Sequence, residues 1–480
     1  MEKNKDLIKE SDSSWKIEKE GEMKVQIKIF ADDALLKKMQ EDSTLKQAKN
    51  MAKLPGVLEP VVVLSDAHQG YGACIGGVSA MDLEKGVISP GQIGYDIDCS
   101  VRLLKTNLKI SDIKGKEKLV VETLFKAVPS GVGRGGKVTV SRKELDEVLK
   151  KGAAWAVEKG YGKKQDLEFL EDKGCLIPCN PNDVSERAKK RGIGQLGTLG
   201  SGNHFLELGV VDSIYNEKTA KVLGLEKNQI TIMIHCGSRG LGHQVASDYI
   251  KLMEEKYGYP EFDRELVNAP INSELGKKYF SAMNCSANFA FANKQIISHL
   301  VQENLKKIFP EIKIDVVYEV CHNIAKIESY ETENNKTKEN KQKQVLVMRK
   351  GATRSFGPGR QEVPEKYREI GQPVLIPGSM GTSSYVLVGT KKAEKISWAS
   401  TVHGAGRVKS RTVSSKQQKG NEVKQALHKK GIEVMSESLE GLAEEAPDAY
   451  KDIDEVVKVV ERAGISEKVA RLKPLVVIKG

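Results

Sequence analysis

The most chemically suggestive stretch is "STVHGAGRVKSR", in which His403 precedes Gly404, Ala405, Gly406 and Arg407, and the run continues into Lys409 and Arg411. Small residues let a ligand approach the backbone, and the cations can hold an anion there. The pattern suits an imidazole nucleophile beside a phosphate. It suits a basic loop equally well until other residues decide.

Four of the eight histidines share one local grammar. His204 in "GSGNHFLEL", His235 in "ITIMIHCGS", His322 in "VYEVCHNIAK" and His403 each stand at the end of an apolar run or in a glycine loop. One such histidine alone is more often a satisfied core or loop residue than a ligand. Four together point to a gathered site, because strand-end loops are where a mixed sheet collects its reactive groups. In "GYDIDCSVRLL", Asp96 and Cys99 lie three apart in a turn, within reach of one ion, while Asp98 points elsewhere. A lone D-x-x-C is ordinary. With the strand-end histidines it completes a nitrogen, oxygen and sulfur set of Asp96, Cys99, His204, His235 and His322. Five ligands exceed the four of a closed zinc site, so two ions with a bridging thiolate are expected, the layout that clamps both oxygens of a phosphoryl displacement. Ligand softness favours zinc, with manganese and cobalt left open. Of the rest, His299 and His428 sit in helical, solvated surroundings, His243 in "GLGHQV" begins a helix and reads as structural, and His68 lies in a turn with Asp66 that could be functional.

Other phosphate motifs are weaker. "GVGRGGKV" nearly matches a Walker loop, but Val138 replaces the magnesium hydroxyl and a helical segment precedes it, so a plain glycine loop is expected. "GQLGTLGSGN" and "IPGSMGTSSY" are either anion nests or tight turns feeding strands. Lysine-type nucleotidyl ligases need K-x-D-G, and the chain contains no Asp-Gly dipeptide. A nucleotidyl carrier, if there is one, is therefore a histidine. Lys479, after the apolar run of "RLKPLVVIKG", is carried into the body of the protein if that run docks as a strand.

Bulk properties set the frame. The net charge of +11 over 480 residues fits a polyanionic partner such as RNA, DNA or an acidic membrane, and fits a basic enzyme with a solvated lysine surface equally well. No apolar run approaches a membrane span and the N-terminus has no signal core, so a cytoplasmic protein is expected. Seven scattered cysteines argue against disulfides, and Cys175 and Cys179 lack the second pair a zinc finger needs.

These residues need strands and loops to gather them. Short apolar runs ending in polar loops, such as "PVVVLSDAHQG", "IDVVYEVCHN" and "VLVMRKGATRS", read as buried strands. Helices are expected at "SRKELDEVLKKGAAWAVEKG", where Ser141 and Glu144 have capping-box spacing, and over residues 275–308. The expected class is α+β: one large mixed α/β domain over 1–480, with central β-sheets, helices packed outside and a cleft formed by strand-end loops. Residues 1–14 read as flexible, and 329–344 and 410–424 as surface loops, because each is polar and lacks apolar periodicity.

Taken in order, "LPGVLEPVVVLSDAHQGYG", "QLGTLGSGNHFLEL", "GSRGLGHQV", "CHNIAK", "RKGATRSFGPG", "IPGSMGTSSYVLVG", "HGAGR" and "LVVIKG" resemble the RtcB family of RNA-splicing ligases, from about residue 23 to the last. The resemblance implies a GTP- and Mn²⁺-dependent enzyme that joins 2′,3′-cyclic phosphate or 3′-phosphate RNA ends to 5′-hydroxyl ends, in tRNA splicing or RNA repair. It implies that His403 carries GMP and that Asp96, Cys99, His204, His235 and His322 hold two manganese ions. The guanine nucleotide would meet Asn203, His204, Phe205, Leu206 and Glu207, His322 and Asn323, Pro377, Gly378, Ser379 and Met380, Ser384, Gly404 to Arg407 through Ala405 and Gly406, and Lys479. Asp66 would lie near the RNA ends. The implied partners are RNA, as tRNA halves or broken strands, and an archease-type activator for some members, with the chain itself a monomer. Two other readings are a dinuclear metallophosphoesterase acting on RNA ends and a non-catalytic RNA-binding subunit. Cys236, Ser100 and Met348 stand where the family usually has threonine, glycine and histidine.

Overall fold

The apolar runs pair into two main sheets in a computed structural model that describes residues 6–131, 133, 135–333 and 340–480. The first sheet runs in the order Leu7–Ser11, Ser14–Ile17, Ile27–Ile29, Val57–His68, Ile75–Asp82, Asn340–Lys350, Asn323–Glu333. The second runs Ile314–Cys321, Ser100–Lys109, Gln229–Cys236, Phe205–Ile214, Ser466–Lys479, Ser384–Gly389, Pro373–Ile376, and Glu433–Ser436 pairs alongside Ser466–Lys479. Most neighbours are antiparallel; Ile27–Ile29 with Val57–His68 and Glu433–Ser436 with Ser466–Lys479 are parallel. Residues of both sheets meet in one buried apolar cluster, so the α+β, single-domain expectation matches the architecture.

Register explains how distant residues meet. Across the second sheet, Phe205 faces His235, His235 faces Val101, Ser100 faces Cys236, and Cys321 faces Ser100. Neighbouring strands lie about 4.8 Å apart, so His204, His235, Cys99 and His322 form a row along one sheet edge. Because these strands are antiparallel, that edge collects two strand starts, Cys99 and His204, and two strand ends, His235 and His322. Lys479 joins the row by facing Phe205.

The helix Glu274–Leu305 covers the expected 275–308 but runs through the interior, with every residue from 281 to 298 buried. Its asparagines and Lys294 are used rather than stranded. Asn288 donates to the carbonyls of Leu149 and Leu176, and Asn293 donates to Thr198 while accepting from the Gly197 and Thr198 amides. Lys294 faces Glu319 at 3.2 Å and Asp98 at 3.5 Å. Buried polar groups with partners avoid the desolvation cost that an apolar stripe alone would not face. The Ser141–Glu144 capping box forms as the spacing predicts.

Three expected loops are regular structure instead. Leu7–Ser11 pairs with Ser14–Ile17, so the flexible stretch is not seen from residue 7 onward, and residues 1–5 lie outside the described residues. Residues 329–333 and 340–344 continue a hairpin, with 334–339 outside the described residues. Their backbone pairing extends a register begun in the buried core, which needs no apolar alternation. Within 410–424, Arg411–Gln417 and the start of Gly420–Lys429 are helical, the first capped by the Ser410 hydroxyl.

Candidate active site

The five proposed metal ligands converge. Asp96 Oδ2 lies 2.7 Å from His204 Nε2, Cys99 Sγ lies 3.5 Å from His204 Nε2 and 3.2 Å from His235 Nε2, and the Nε2 atoms of His235 and His322 are 3.3 Å apart. They form two triads, Asp96–Cys99–His204 and Cys99–His235–His322, which share the Cys99 sulfur. His204 Nδ1 is 3.1 Å from the Leu199 carbonyl, which can only accept, so Nδ1 carries a proton, and Nε2, 2.7 Å from Asp96, is the atom a cation would take once its own proton leaves. The His235 and His322 nitrogens, facing each other across 3.3 Å beside the Cys99 thiol, are placed to turn two lone pairs and a thiolate on one shared cation. The donor set fits two divalent ions of borderline softness.

Electrostatics follow from burial. Burial, then Asp96, pushes the Cys99 thiol up to about 12. Burial opposes charge on His204, but Asp96 and Cys99 overcome it and hold its proton well above the usual imidazole range. Burial holds His235 and His322 well below that range, reinforced by His322 for the former and by His403 for the latter. Binding a cation must displace the protons of Cys99 and His204, so metal affinity rises with pH. Cys99→Ala removes the atom both triads share and is expected to strip both ions, whereas Asp96→Ala should strip about one; metal content by plasma mass spectrometry after dialysis distinguishes the two.

His403 arrives from a different element. The ribbon Ala352–Arg354 with Ser400–Val402 ends at His403, and the Ala352 amide donates to the His322 carbonyl at 3.1 Å. The His403 and His322 rings are 5.0 Å apart. Asp66, at the end of Val57–His68, accepts from His403 Nδ1 at 2.6 Å and from the His403 amide at 2.9 Å. Asp66 thus belongs to the histidine, a role its sequence context gave no sign of. His68 is pulled down to about 4 by burial and the nearby Lys451, so it is neutral at physiological pH.

Beside this histidine lies a cleft lined by Asn203, Phe205, Glu207, the run Pro377 to Met380, the run His403 to Arg407, and Lys479. Strand alternation sends Phe205 and Glu207 to the cleft and Leu206 to the opposite, buried side, so Leu206 does not line it. Ser384 and Asn323 act on backbone: Ser384 Oγ accepts from the Gly378 amide at 3.1 Å, and Asn323 bonds the Asp96 carbonyl and the Gly351 amide. The amides of Gly378 and Ser379 are taken by Ser384 and Thr382, and those of Gly197 and Thr198 by Asn293. Both glycine runs are therefore closed turns at those amides.

Glu445 was not foreseen. This buried carboxylate is 3.1 Å from Arg407, 3.2 Å from Arg411 and 3.7 Å from Lys479, and it also accepts from Tyr450. Three cations on one carboxylate leave an excess of positive charge at the cleft wall, suited to phosphate. Its context, "GLAEEAPDAY", is an ordinary helix end, so no signal in the sequence finds it. Burial lowers Lys479 to about 8 and raises Glu207 to about 8. Since the folded-state value of Glu207 lies above the unfolded one of about 4.3, its carboxyl costs stability progressively as pH rises from there to about 8. Glu207→Gln is expected to gain on the parent protein over that window, on the order of a few kcal/mol at its upper end, read as a widening difference in Tm between pH 5 and pH 8.

The remaining candidates stay outside the site. Cys175 and Cys179 both approach the Lys150 carbonyl, at 3.3 and 3.6 Å, and join no metal group among the described residues. His299 packs edge-on against Tyr161, and His428 pairs with Glu433 at the surface. Cys236 is buried, accepting from Asn293 at 3.2 Å; the Ser100 hydroxyl donates to the Asp98 carbonyl; Met348 is core.

Comparisons with known proteins give the family. The family model described as tRNA-splicing ligase RtcB matches residues 47–480. The chain is 51% identical to the tRNA-splicing ligase RtcB of Thermococcus kodakarensis over 474 residues, covering 97% of each chain. It is 49% identical to the protein of that name from Archaeoglobus fulgidus, covering 99% of each, and 48% identical to that of Methanococcus maripaludis, covering 95% of each.

Proposed function

The chain belongs to the RtcB family, and on that premise we propose that it is a GTP- and Mn²⁺-dependent RNA ligase. It joins 2′,3′-cyclic phosphate or 3′-phosphate ends to 5′-hydroxyl ends, in tRNA splicing or RNA repair, in the cytoplasm. The observation that carries the reading is the His403 imidazole, anchored through Nδ1 by Asp66 and packed 5.0 Å from the metal-cluster ring of His322.

Two Mn²⁺ ions held by Asp96, Cys99, His204, His235 and His322 would neutralise phosphate charge at the reacting centre. With Nδ1 protonated against Asp66, His403 Nε2 keeps the lone pair that attacks the α-phosphorus of GTP. The N–P bond forms as the P–O bond to pyrophosphate breaks. An oxygen of the RNA 3′-phosphate then attacks the same phosphorus, and the N–P bond breaks. Finally the 5′-hydroxyl attacks the RNA phosphorus, its proton passes to solvent, and GMP leaves. A cyclic end is first opened by water. The cations gathered by Glu445 would balance the phosphates, and Glu207 with Phe205 would meet the guanine as an edge acceptor and a stacking ring. In this reading the protein acts as a monomer. The +11 charge supports RNA as the partner.

RNA carrying ³²P in its 3′-phosphate tests the reading. Ligation keeps the label in a phosphatase-resistant junction and requires GTP. Release of labelled phosphate without GTP indicates the metallophosphoesterase instead, and binding with neither outcome indicates a non-catalytic subunit.

A further inference from the structure

His243, which the sequence marks only as a helix residue, ends a ladder of rings beside the metal centre. Its imidazole stacks on Tyr95 at 4.9 Å and 26°, and Tyr95 meets Tyr71 at 5.2 Å and 58°. Tyr71 and Tyr95 are half-buried and His243 is exposed, so the ladder rises to solvent. Among the described residues, no other ring packs on His243. The inner end is rigid: Lys350 donates to the carbonyls of Tyr71 and Gly91, and Glu265 accepts from the Gly72 amide at 2.7 Å. Tyr95 is the chain neighbour of Asp96. Arg191 bonds Gln244, one residue beyond His243, and Arg239 starts the same helix four residues before it.

We propose that this ladder is a stacking platform for the terminal nucleobase of an RNA end delivered to the metal centre, a reading that rests on the proposed ligase function. A ladder that only filled the core would gain most by burying its outer ring, and here that ring is exposed. This one leaves an aromatic face open, places cations beside it for the adjoining phosphate, and ties its middle ring by one peptide bond to a metal ligand. Stacking accepts any base, as an enzyme that seals varied ends requires. The ladder stands on the Asp96 side of the cluster and His403 on the His322 side, so the base and the guanylate would approach the ions from opposite flanks. The shared chemistry is a terminal base, and either strand end could supply it.

The test uses the full chain with Mn²⁺ and two single-stranded RNA probes, one ending in a 5′-hydroxyl and one in a 3′-phosphate, each made with and without its terminal base. Binding is read by fluorescence anisotropy, and uptake of label from α-³²P-GTP is read on the same preparations. His243→Ala should weaken at least one probe about tenfold, and His243→Phe should restore it. The abasic form of that probe should bind the parent and His243→Ala alike. Equal binding of every probe by parent and variant overturns the platform, as does a loss that persists with abasic RNA. A parent protein that takes no label yet shows the base-dependent loss refutes the ligase reading and leaves the platform standing. Normal labelling without that loss does the reverse.

Discussion

His403→Ala protein is expected to take up no radiolabel from α-³²P-GTP while retaining its full complement of metal ions. The parent should carry label that is lost in acid and survives alkali, the behaviour of a phosphoramidate. No neighbouring group is placed to stand in for His403, the proposed nucleophile. His68 is neutral but bonds the Asp66 carbonyl through Nδ1 from its own strand, His235 and His322 turn their Nε2 atoms to the cluster, and Lys479 is engaged with Glu445 and the Gly202 carbonyl. Sealing should fall by at least about 10⁴-fold, the scale on which removing a covalent nucleophile acts. None of the five cluster ligands is supplied by the ribbon bearing His403, so metal content is the control. Label persisting in the variant would overturn the assignment of His403.

What the sequence could disclose was residue type in local context. The five proposed metal ligands were legible as a group because each sits where an apolar run meets a polar loop, and one sheet edge lines up such positions by register. Glu445 was not, and Asp66 was marked only as a turn residue near the RNA ends, because their meaning lies in contacts between distant segments: Asp66 and His403 are separated by 337 residues. The polar flanks of 329–344 misled for a related reason. Once Asn323 to Ile327 pairs with Leu346 to Lys350 in the core, the same ladder carries the hairpin outward through 329–333 and 340–344, a stretch without apolar alternation. The helix Glu274–Leu305 is the opposite case. Its asparagines and lysine look solvent-facing in sequence, yet each finds a partner only once the second sheet and its loops surround it. Periodicity reports the environment of one face, and an element enclosed on all sides escapes it.

The carboxylate behind His403, the proposed nucleophile, gives the sharpest test of how the imidazole is prepared. Asp66 accepts from both Nδ1 and the amide of His403, so it fixes the ring's tautomer and its direction together. Asn in its place keeps the size but offers an amide that can donate to Nδ1 and move the ring proton to Nε2, the atom that must attack. Asp66→Asn is therefore expected to slow guanylylation by about 10⁴-fold, as amide substitution behind a catalytic histidine does in the serine-protease triad, with little change in metal content. Asp66→Ala removes the orienting acceptor without imposing the wrong tautomer, and should be less damaging to the rate of label uptake than Asp66→Asn. Single-turnover labelling across pH measures both. If the two variants label at equal rates, Asp66 holds the ring in place without selecting its tautomer. If Asp66→Asn labels like the parent, the carboxylate has no part in preparing the nucleophile.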